Sequence, residues 1–161
     1  QNPNINQMPA KYKLHEQMNH VNGTVLWYAK AVADNVGNYG TVLRTNYWRY
    51  PALQPLMPFI DHKLPKKPKS VKGVWTSDGY MLFWGKPAGT KWNEEAVKYV
   101  VYRFRKGEKV DLEDPSKIVK ITTDTFLKLP YNDGKERNTY IVTSLDRMSN
   151  ESKPAKKAVK L

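Results

Sequence analysis

The stretch AVKYVVYRFRKG, residues 96–107, constrains the fold of this chain more than any other part of the sequence. It is rich in β-branched and aromatic residues, which favour strands. Both of its alternating faces are apolar, with Tyr99 and Val101 on one side and Val100 and Tyr102 on the other. A strand that is apolar on both faces is normally covered on both sides. We therefore predict a central strand of a sheet.

Further strand-like runs surround that stretch. VKGVWTSDGYMLFWGKP contains two of them around Asp78-Gly79, a dipeptide that favours a hairpin. KIVKITTDTFLKLP supplies two shorter strands, NTYIVTSLD another, and AKKAVKL a lysine-rich last strand suited to a sheet edge. About seven short strands separated by turn signals predict a mainly β, immunoglobulin-like sandwich. Its predicted core consists of Leu82, Trp84, Tyr99, Val101, Ile121, Phe126, Leu129, Tyr140 and Val142.

The segment DHKLPKKPKS, residues 61–70, separates two parts of the chain that have different sequence patterns. Its two prolines and four lysines favour extended, solvated chain. We predict that residues 63–69 are an interdomain linker, that residues 70–161 form the sandwich, and that residues 1–62 belong to a different domain.

Residues 1–62 are predicted to form a helix, a strand and a second helix. QMPAKYKLHEQMN favours an amphipathic helix, with Pro9 tolerated in its first turn. The apolar run after it predicts a buried strand over residues 23–29, and a further helix is expected around residues 39–47. This order is one αβα piece of a parallel α/β fold. Because the sequence supplies no neighbouring βα units, we expect the rest of that sheet to lie upstream.

Both halves resemble one bacterial family. LFW at residues 82–84, YVVYR at 99–103 and YIVTSLDR at 140–147 resemble strands of a fibronectin type III domain of the kind found in secreted glycosidases. HVNGTVLWYAK and LRTNYWRYPALQP resemble the end of the catalytic barrel in the family 10-like glycosyl hydrolases, where a (β/α)8 barrel precedes such a domain. One departure is Asn138, which stands where the family usually has its corner tyrosine.

The resemblance implies that this chain is the C-terminal, non-catalytic region of a secreted glycoside hydrolase. Residues 1–62 would be the last piece of the TIM barrel, and the sandwich would be an accessory, spacer or barrel-stabilising module. The expected partner is the upstream catalytic barrel of the parent protein, with polysaccharide as a further candidate. The expected location is outside the bacterial cytoplasm, whether secreted, periplasmic or at the cell surface.

Candidate substrate-binding residues follow the predicted barrel strand. Because active sites lie at the C-terminal ends of barrel strands, Trp27, Tyr28 and Asp34 are predicted to line a sugar-binding mouth. The alternatives are core packing for the two aromatics and a turn role for Asp34. In the second half, Trp75 and Trp92 are candidates for stacking on a glycan, and they support the alternative that the sandwich is a carbohydrate-binding module.

The carboxylates of the first half do not form a catalytic set. Glycoside hydrolysis usually requires two carboxylates about 5–10 Å apart. Residues 1–62 offer only Glu16, Asp34 and Asp61, so we predict no catalytic residue and no glycosidase activity in this chain alone. The chain has no cysteine and three scattered histidines, so neither a metal nor another cofactor is expected.

The net charge of +12 is concentrated in residues 63–161, which carry 22 Lys or Arg against 12 Asp or Glu. Such a charge suits nucleic acid, anionic lipid or acidic glycan. The lysines alternate with apolar residues along the predicted strands, which favours a solvated surface, and no nucleic-acid partner is expected. No run of about 18 or more apolar residues occurs, so no membrane span is expected.

Overall fold

The computed structural model describes residues 7–21, 23–88 and 94–161. The chain divides into two compact units, Gln1–Tyr50 and Pro51–Leu161. The described part of the first unit is helical, and the second unit is a β-sandwich. The prediction of a mainly β chain is therefore confirmed, while the segment before the sandwich is helical instead of αβα.

The first unit consists of short helical elements. Some of them lie where the sequence predicts helices, at residues 7–19 and around residues 39–47. Its elements are α1 (Gln7–Glu16), α2 (Ala29–Ala33), a 3-10 turn (Val36–Asn38), α3 (Tyr39–Val42) and a π-helical turn (Leu43–Tyr47). The Tyr47 hydroxyl donates to the carbonyl of Pro9 at 3.0 Å. The ring of Tyr47 also lies 4.7 Å from that of Tyr12. These two contacts hold α1 against the π-helical turn.

The buried strand predicted over residues 23–29 is wrong. Residues 23–28 are irregular, and Ala29 begins α2. Val25 is 91% exposed and Trp27 is 98% exposed. The backbone N–H and C=O groups of a strand need a neighbouring strand to pair with. The described part of the first unit contains no other strand, so an apolar sequence alone does not produce one here.

In the described residues of the second unit, seven strands form two antiparallel sheets, as the turn spacing predicts. They are β1 (Lys69–Thr76), β2 (Gly79–Gly85), β3 (Lys98–Arg105), β4 (Ile118–Thr122), β5 (Phe126–Lys128), β6 (Arg137–Leu145) and β7 (Ala155–Lys160). A 3-10 turn, Pro115–Lys117, precedes β4. One sheet has the order β1-β2-β5 and the other has the order β4-β3-β6-β7. The lysine-rich β7 lies at an edge, where its side chains reach water.

The hairpin predicted at Asp78-Gly79 joins β1 to β2. Trp75 pairs with Tyr80, and Thr76 pairs with Gly79. The Thr76 hydroxyl donates to the Gly79 carbonyl at 3.0 Å and accepts from the Asp78 N–H at 3.2 Å. Gly79 has φ 112°, a backbone conformation that other residues rarely adopt. The turn therefore fixes which residues of β1 and β2 face each other.

A first core lies between the two sheets, and it contains most of the predicted positions. Its members from that prediction are Leu82, Trp84, Tyr99, Val101, Leu129, Tyr140 and Val142. Phe126 is instead 46% exposed, because it pairs with the outward-facing Phe83. Ile121 packs on the opposite face of the four-stranded sheet. Strand registers one residue apart place side chains on opposite faces, which explains both errors.

The outer face of the four-stranded sheet carries a second core. Its buried members are Val100, Tyr102, Phe104, Ile118, Ile141 and Leu145. Leu53 and Leu112 pack against them from outside the sheet. β3 is therefore buried on both faces, as its sequence predicts.

Residues 51–68, here called the strap, belong to the same compact unit as the sandwich. Leu53 packs on the second core. The Ser149 hydroxyl donates to the side-chain oxygen of Gln54 at 3.3 Å. The N-terminal part of the strap is thus attached to the sandwich by both apolar and polar contacts.

The later part of the strap includes most of the predicted linker. The Asn150 side-chain amide donates to the Asp61 carbonyl at 3.4 Å. Pro65 and Pro68 are buried, although the lysines around them are exposed. The compact unit therefore begins at Pro51, ahead of the predicted linker at residues 63–69. The identity of residues 1–62 as a piece of a barrel stays a prediction.

Core tyrosines should make the sandwich sensitive to alkali. Burial, followed by the hydrogen bond to Glu151, raises the pKa of Tyr102, and burial also raises the pKa of Tyr99 and Tyr140. Unfolded tyrosine ionises near pH 10, so above about that pH the unfolded state releases protons that the folded state retains. The free energy of unfolding should be undiminished below about pH 10 and should fall as the pH rises further.

Urea unfolding at about pH 9 and about pH 11 measures this effect. The wild-type chain should lose more stability between the two values than the Tyr102→Phe variant. A Tyr131→Phe variant is the control, because that side chain is half exposed. Equal losses in the wild type and Tyr102→Phe would contradict the assignment.

Candidate functional site

An aromatic cluster lies where β1 turns into β2. Trp75 is 56% exposed, and the nearby Tyr131 is 52% exposed. The Trp75 ring meets Tyr131 edge-on, with centroids 4.7 Å apart and planes at 79°. It meets Tyr80 in the same way, at 5.3 Å and 84°. Two rings therefore fix the indole while about half of its surface stays open.

Strand pairing explains how this cluster forms. Trp75 and Tyr80 are cross-strand partners on the two sides of the hairpin turn. The Leu129 N–H donates to the Tyr80 carbonyl at 2.9 Å, which brings the chain after β5 towards β2. Tyr80 could have been found in the sequence, because it and Trp75 are spaced symmetrically about the two turn residues, Ser77 and Asp78. Tyr131 could not, because it depends on the pairing of a strand distant in sequence.

Three of the other predicted binding residues belong to the first unit. Trp27 and Tyr28 lie in the irregular segment before α2, 98% and 66% exposed. Asp34 forms an ion pair with Lys30 one turn earlier in the chain. The Asp34 N–H also donates to the Lys30 carbonyl at 2.8 Å, so Asp34 closes α2. Trp92 lies outside the described residues.

A groove lined by basic residues lies beside the edge strands β1 and β7. We call it the lysine groove, and its charged members are Lys66, Lys67, Lys69, Lys153 and Lys156. No acidic residue is among the described residues that line it. In the described part of the chain, none of its five lysines forms a salt bridge. The sequence showed the charge excess but not this grouping, because residues 64–71 and 153–156 meet only in the fold.

A second group of basic side chains, near the start of β6, differs because it contains a carboxylate. Arg103 and Arg105 of β3 line the same surface pocket as Glu136. Hydrogen bonds from Asn138 and Asn132 hold the pKa of Glu136 below its usual value, and the two arginines lower that pKa further. The positive charge of this group is therefore partly compensated within the protein.

Two carboxylates of the second unit, the buried Asp146 and the partly buried Glu151, have structural partners. Asp146 is 3% exposed and accepts from the Asn150 N–H and the Asn150 side-chain amide, each at 2.9 Å. Glu151 accepts from the hydroxyl of Tyr102 at 2.7 Å and from that of Thr143 at 2.5 Å. These contacts fix a turn and close the second core. Within the described ranges, no group of three or more His, Cys, Asp or Glu residues is placed to hold a metal ion.

The chain has a curated relative whose name gives a reaction class. The chain is 32% identical over 148 residues to glycosyl hydrolase YngK of Bacillus subtilis (strain 168). The chain is a distant homologue of that protein. The match takes in 91% of this chain but only 28% of the relative, so the chain spans little more than a quarter of its length.

Other comparisons add less. No protein-family model matches the chain. Among solved structures, titin kinase with its flanking domains is similar over 61% of this chain and 17% of that chain, with 20% identity and a TM-score of 0.46. Among the described helices, none has the length and apolar character needed to cross a bilayer.

Proposed function

We propose that this chain is a non-catalytic accessory region of a larger glycosyl-hydrolase-like protein. Homology to YngK over most of the chain, but over little of YngK, supports this. More specifically, we propose that the parent protein is a family 10-like enzyme that acts outside the bacterial cytoplasm. Residues 1–62 are then the end of its (β/α)8 barrel, and the sandwich is attached to the barrel and stabilises it.

The outward side of the strap is the observation that carries the proposal. Leu56, Met57, Phe59 and Ile60 are 60%, 43%, 84% and 57% exposed. Grouped exposed apolar side chains mark surfaces that contact another protein domain. The strap is attached to the sandwich through Leu53, so its apolar outward side is available to the rest of the parent protein.

A hydrolysis assay tests whether this region is catalytic. The whole chain should release no reducing sugar from α-glucans, β-glucans, xylan or chitin, because Asp146 and Glu151 are engaged in structural contacts. Turnover of any of these polymers that persists through repeated purification would overturn the proposal.

Serine substitutions test the contact surface of the strap. In the longer protein, Phe59→Ser with Ile60→Ser should lower the melting temperature by several degrees, since about 1–2 kcal/mol of apolar burial is lost per residue. In this chain alone, the same pair should change it by about a degree or less, because both side chains are already exposed. Calorimetry of both proteins gives the comparison. Equal shifts in the two would argue against the interface.

The aromatic cluster favours a second candidate function, carbohydrate binding. A sugar ring can place its C–H face on the open side of Trp75, which Tyr80 and Tyr131 hold in position. In native gels cast with neutral soluble polysaccharides, Trp75→Ala should weaken retardation roughly 10-fold, from the loss of about 1–2 kcal/mol of apolar contact. Trp48→Ala is the control, since it removes a half-exposed indole that has no predicted binding role. If the polysaccharides do not retard the wild-type chain, carbohydrate binding is contradicted and only the accessory or spacer role remains.

A further inference from the structure

We propose that the lysine groove binds an acidic polysaccharide, a polymer of carboxylate-bearing sugars. This inference rests on the proposed function for the choice of a sugar polymer. Beyond the proposed function, the inference specifies that the polymer is negatively charged and that it binds to a surface separate from Trp75.

The charge of the groove is the first observation. Five exposed lysines share one concavity, and its lining, as far as the structure describes it, has no carboxylate. Some lysines elsewhere in the sandwich do have acidic partners, such as Lys86 with Glu95 at 2.7 Å. Grouped like charges repel each other and lower stability unless an anion is bound. An anionic ligand bound in the groove therefore neutralises positive charge that the described lining of the groove leaves uncompensated.

The strap wall of the groove is held in one shape. Pro65 and Pro68 are buried, which fixes the chain that carries the lysines between and after them. The pairing of β1 with β2 is irregular just after Lys69, which is paired with Gly85. Ser70 at this irregularity has φ 49°, in the left-handed region. Irregularities of this kind re-aim side chains at a sheet edge, and here the affected residues line the groove.

The opposite wall is fixed by hydrogen bonds. The Ser152 N–H donates to the Ser144 carbonyl at 2.9 Å, and the Ser152 hydroxyl donates to the Lys153 carbonyl at 2.9 Å. The backbone that carries Lys153 is thus tied to the end of β6. A pre-formed site loses less conformational entropy on binding than a mobile one.

The rest of the lining favours a sugar polymer over other polyanions. Leu64, Val71 and Pro154 supply an apolar surface suited to the C–H faces of pyranose rings. Among the described residues, no aromatic side chain lines the groove, although proteins that bind single-stranded nucleic acid stack bases on aromatic rings. All of its cations are lysines, point charges suited to carboxylates at varied positions, instead of the arginine forks that match phosphate. A flat bilayer does not enter a concave groove.

Affinity electrophoresis and calorimetry of the whole chain test the inference, with polygalacturonate as the acidic probe and glucomannan as the neutral one. The groove variant replaces three lysines by glutamine: Lys66, Lys153 and Lys156. The control variant changes the net charge equally at exposed, unpaired lysines elsewhere in the described sandwich: Lys98, Lys109 and Lys128. The groove variant should bind polygalacturonate roughly 10-fold to 30-fold more weakly at low salt, and the control less than about threefold.

Folding is controlled by the melting temperature, which the groove substitutions should leave unchanged or raise, because they remove repulsion. A single Lys153→Gln variant, expected to bind about threefold more weakly, covers the case in which the triple variant misfolds. Equal weakening in both triple variants, or no binding of polygalacturonate, would overturn the inference. So would groove-dependent binding of oligonucleotides or anionic vesicles at equal or higher affinity. Glycosidase turnover by the chain would refute the proposed function but leave this binding result intact.

Discussion

Replacing Trp84 by alanine should lower the free energy of unfolding of the sandwich by about 3–5 kcal/mol, whereas replacing Trp75 should lower it far less. Both tryptophans belong to the three-stranded sheet. Trp84 is 4% exposed in the first core and packs edge-on against Tyr99, with centroids 5.7 Å apart. Removing such a buried ring costs about 3–5 kcal/mol. That is a large share of the roughly 5–15 kcal/mol by which a domain of this size is stable.

Trp75→Ala is the matched control, since it removes the same side chain from the same sheet. Trp75 is 56% exposed and loses only two edge contacts, so the expected cost is about 1 kcal/mol. Urea unfolding followed by circular dichroism gives both values. Similar losses for the two variants would mean that the faces of this sheet are assigned wrongly.

Removing the strap should have the second largest effect. A chain that starts at Pro51 retains every contact of the second unit. A chain of residues 70–161, the domain predicted from sequence, lacks Leu53 and the buried Pro65 and Pro68. The expected loss is on the order of 3 kcal/mol or more, at about 1 kcal/mol or more for each buried apolar side chain.

Exposure of the second core gives an additional signature. Without the strap, the outer face of the four-stranded sheet loses its Leu53 cover, and the shorter chain should bind a hydrophobic dye and aggregate at lower concentration. The chain of residues 51–161 is the control for these measurements. If residues 70–161 match it in unfolding midpoint and solubility, the strap contributes nothing to the fold.

Features of the fold that depend on local pattern were predictable from the sequence. β3 is apolar on both faces, so it had to be central, and the Asp78-Gly79 dipeptide placed the first hairpin. β4 and β5 are consecutive in the sequence but belong to different sheets. Local pattern carries no information on which sheet a strand joins, so Phe126 was placed inside although it lies on the outer face.

The wrong strand in the first unit and the buried prolines of the strap have related causes. Residues 23–29 have the composition of a buried strand, but no partner strand lies in the described part of their unit. In the strap, the exposed lysines suggested solvated chain, while the prolines between them are buried. The composition of a segment does not distinguish its buried residues from their exposed neighbours, whereas the contacts in the structure do. The candidate site follows the same rule, because Tyr131 and the lysine groove arise from segments far apart in sequence.

Amide hydrogen exchange over the whole chain, read by mass spectrometry, tests most directly whether the strap is part of the sandwich. The amides of β3 and β6 should exchange slowest. The N–H groups of Ile60 and Asp61, which donate to the Met57 carbonyl at 2.9 and 3.2 Å, should be measurably protected. Residues 23–28, irregular in the structure, should exchange at the rate of free chain. Residues 23–28 as protected as β6, or a strap that exchanges as fast as they do, would contradict the fold and the attachment proposed from it.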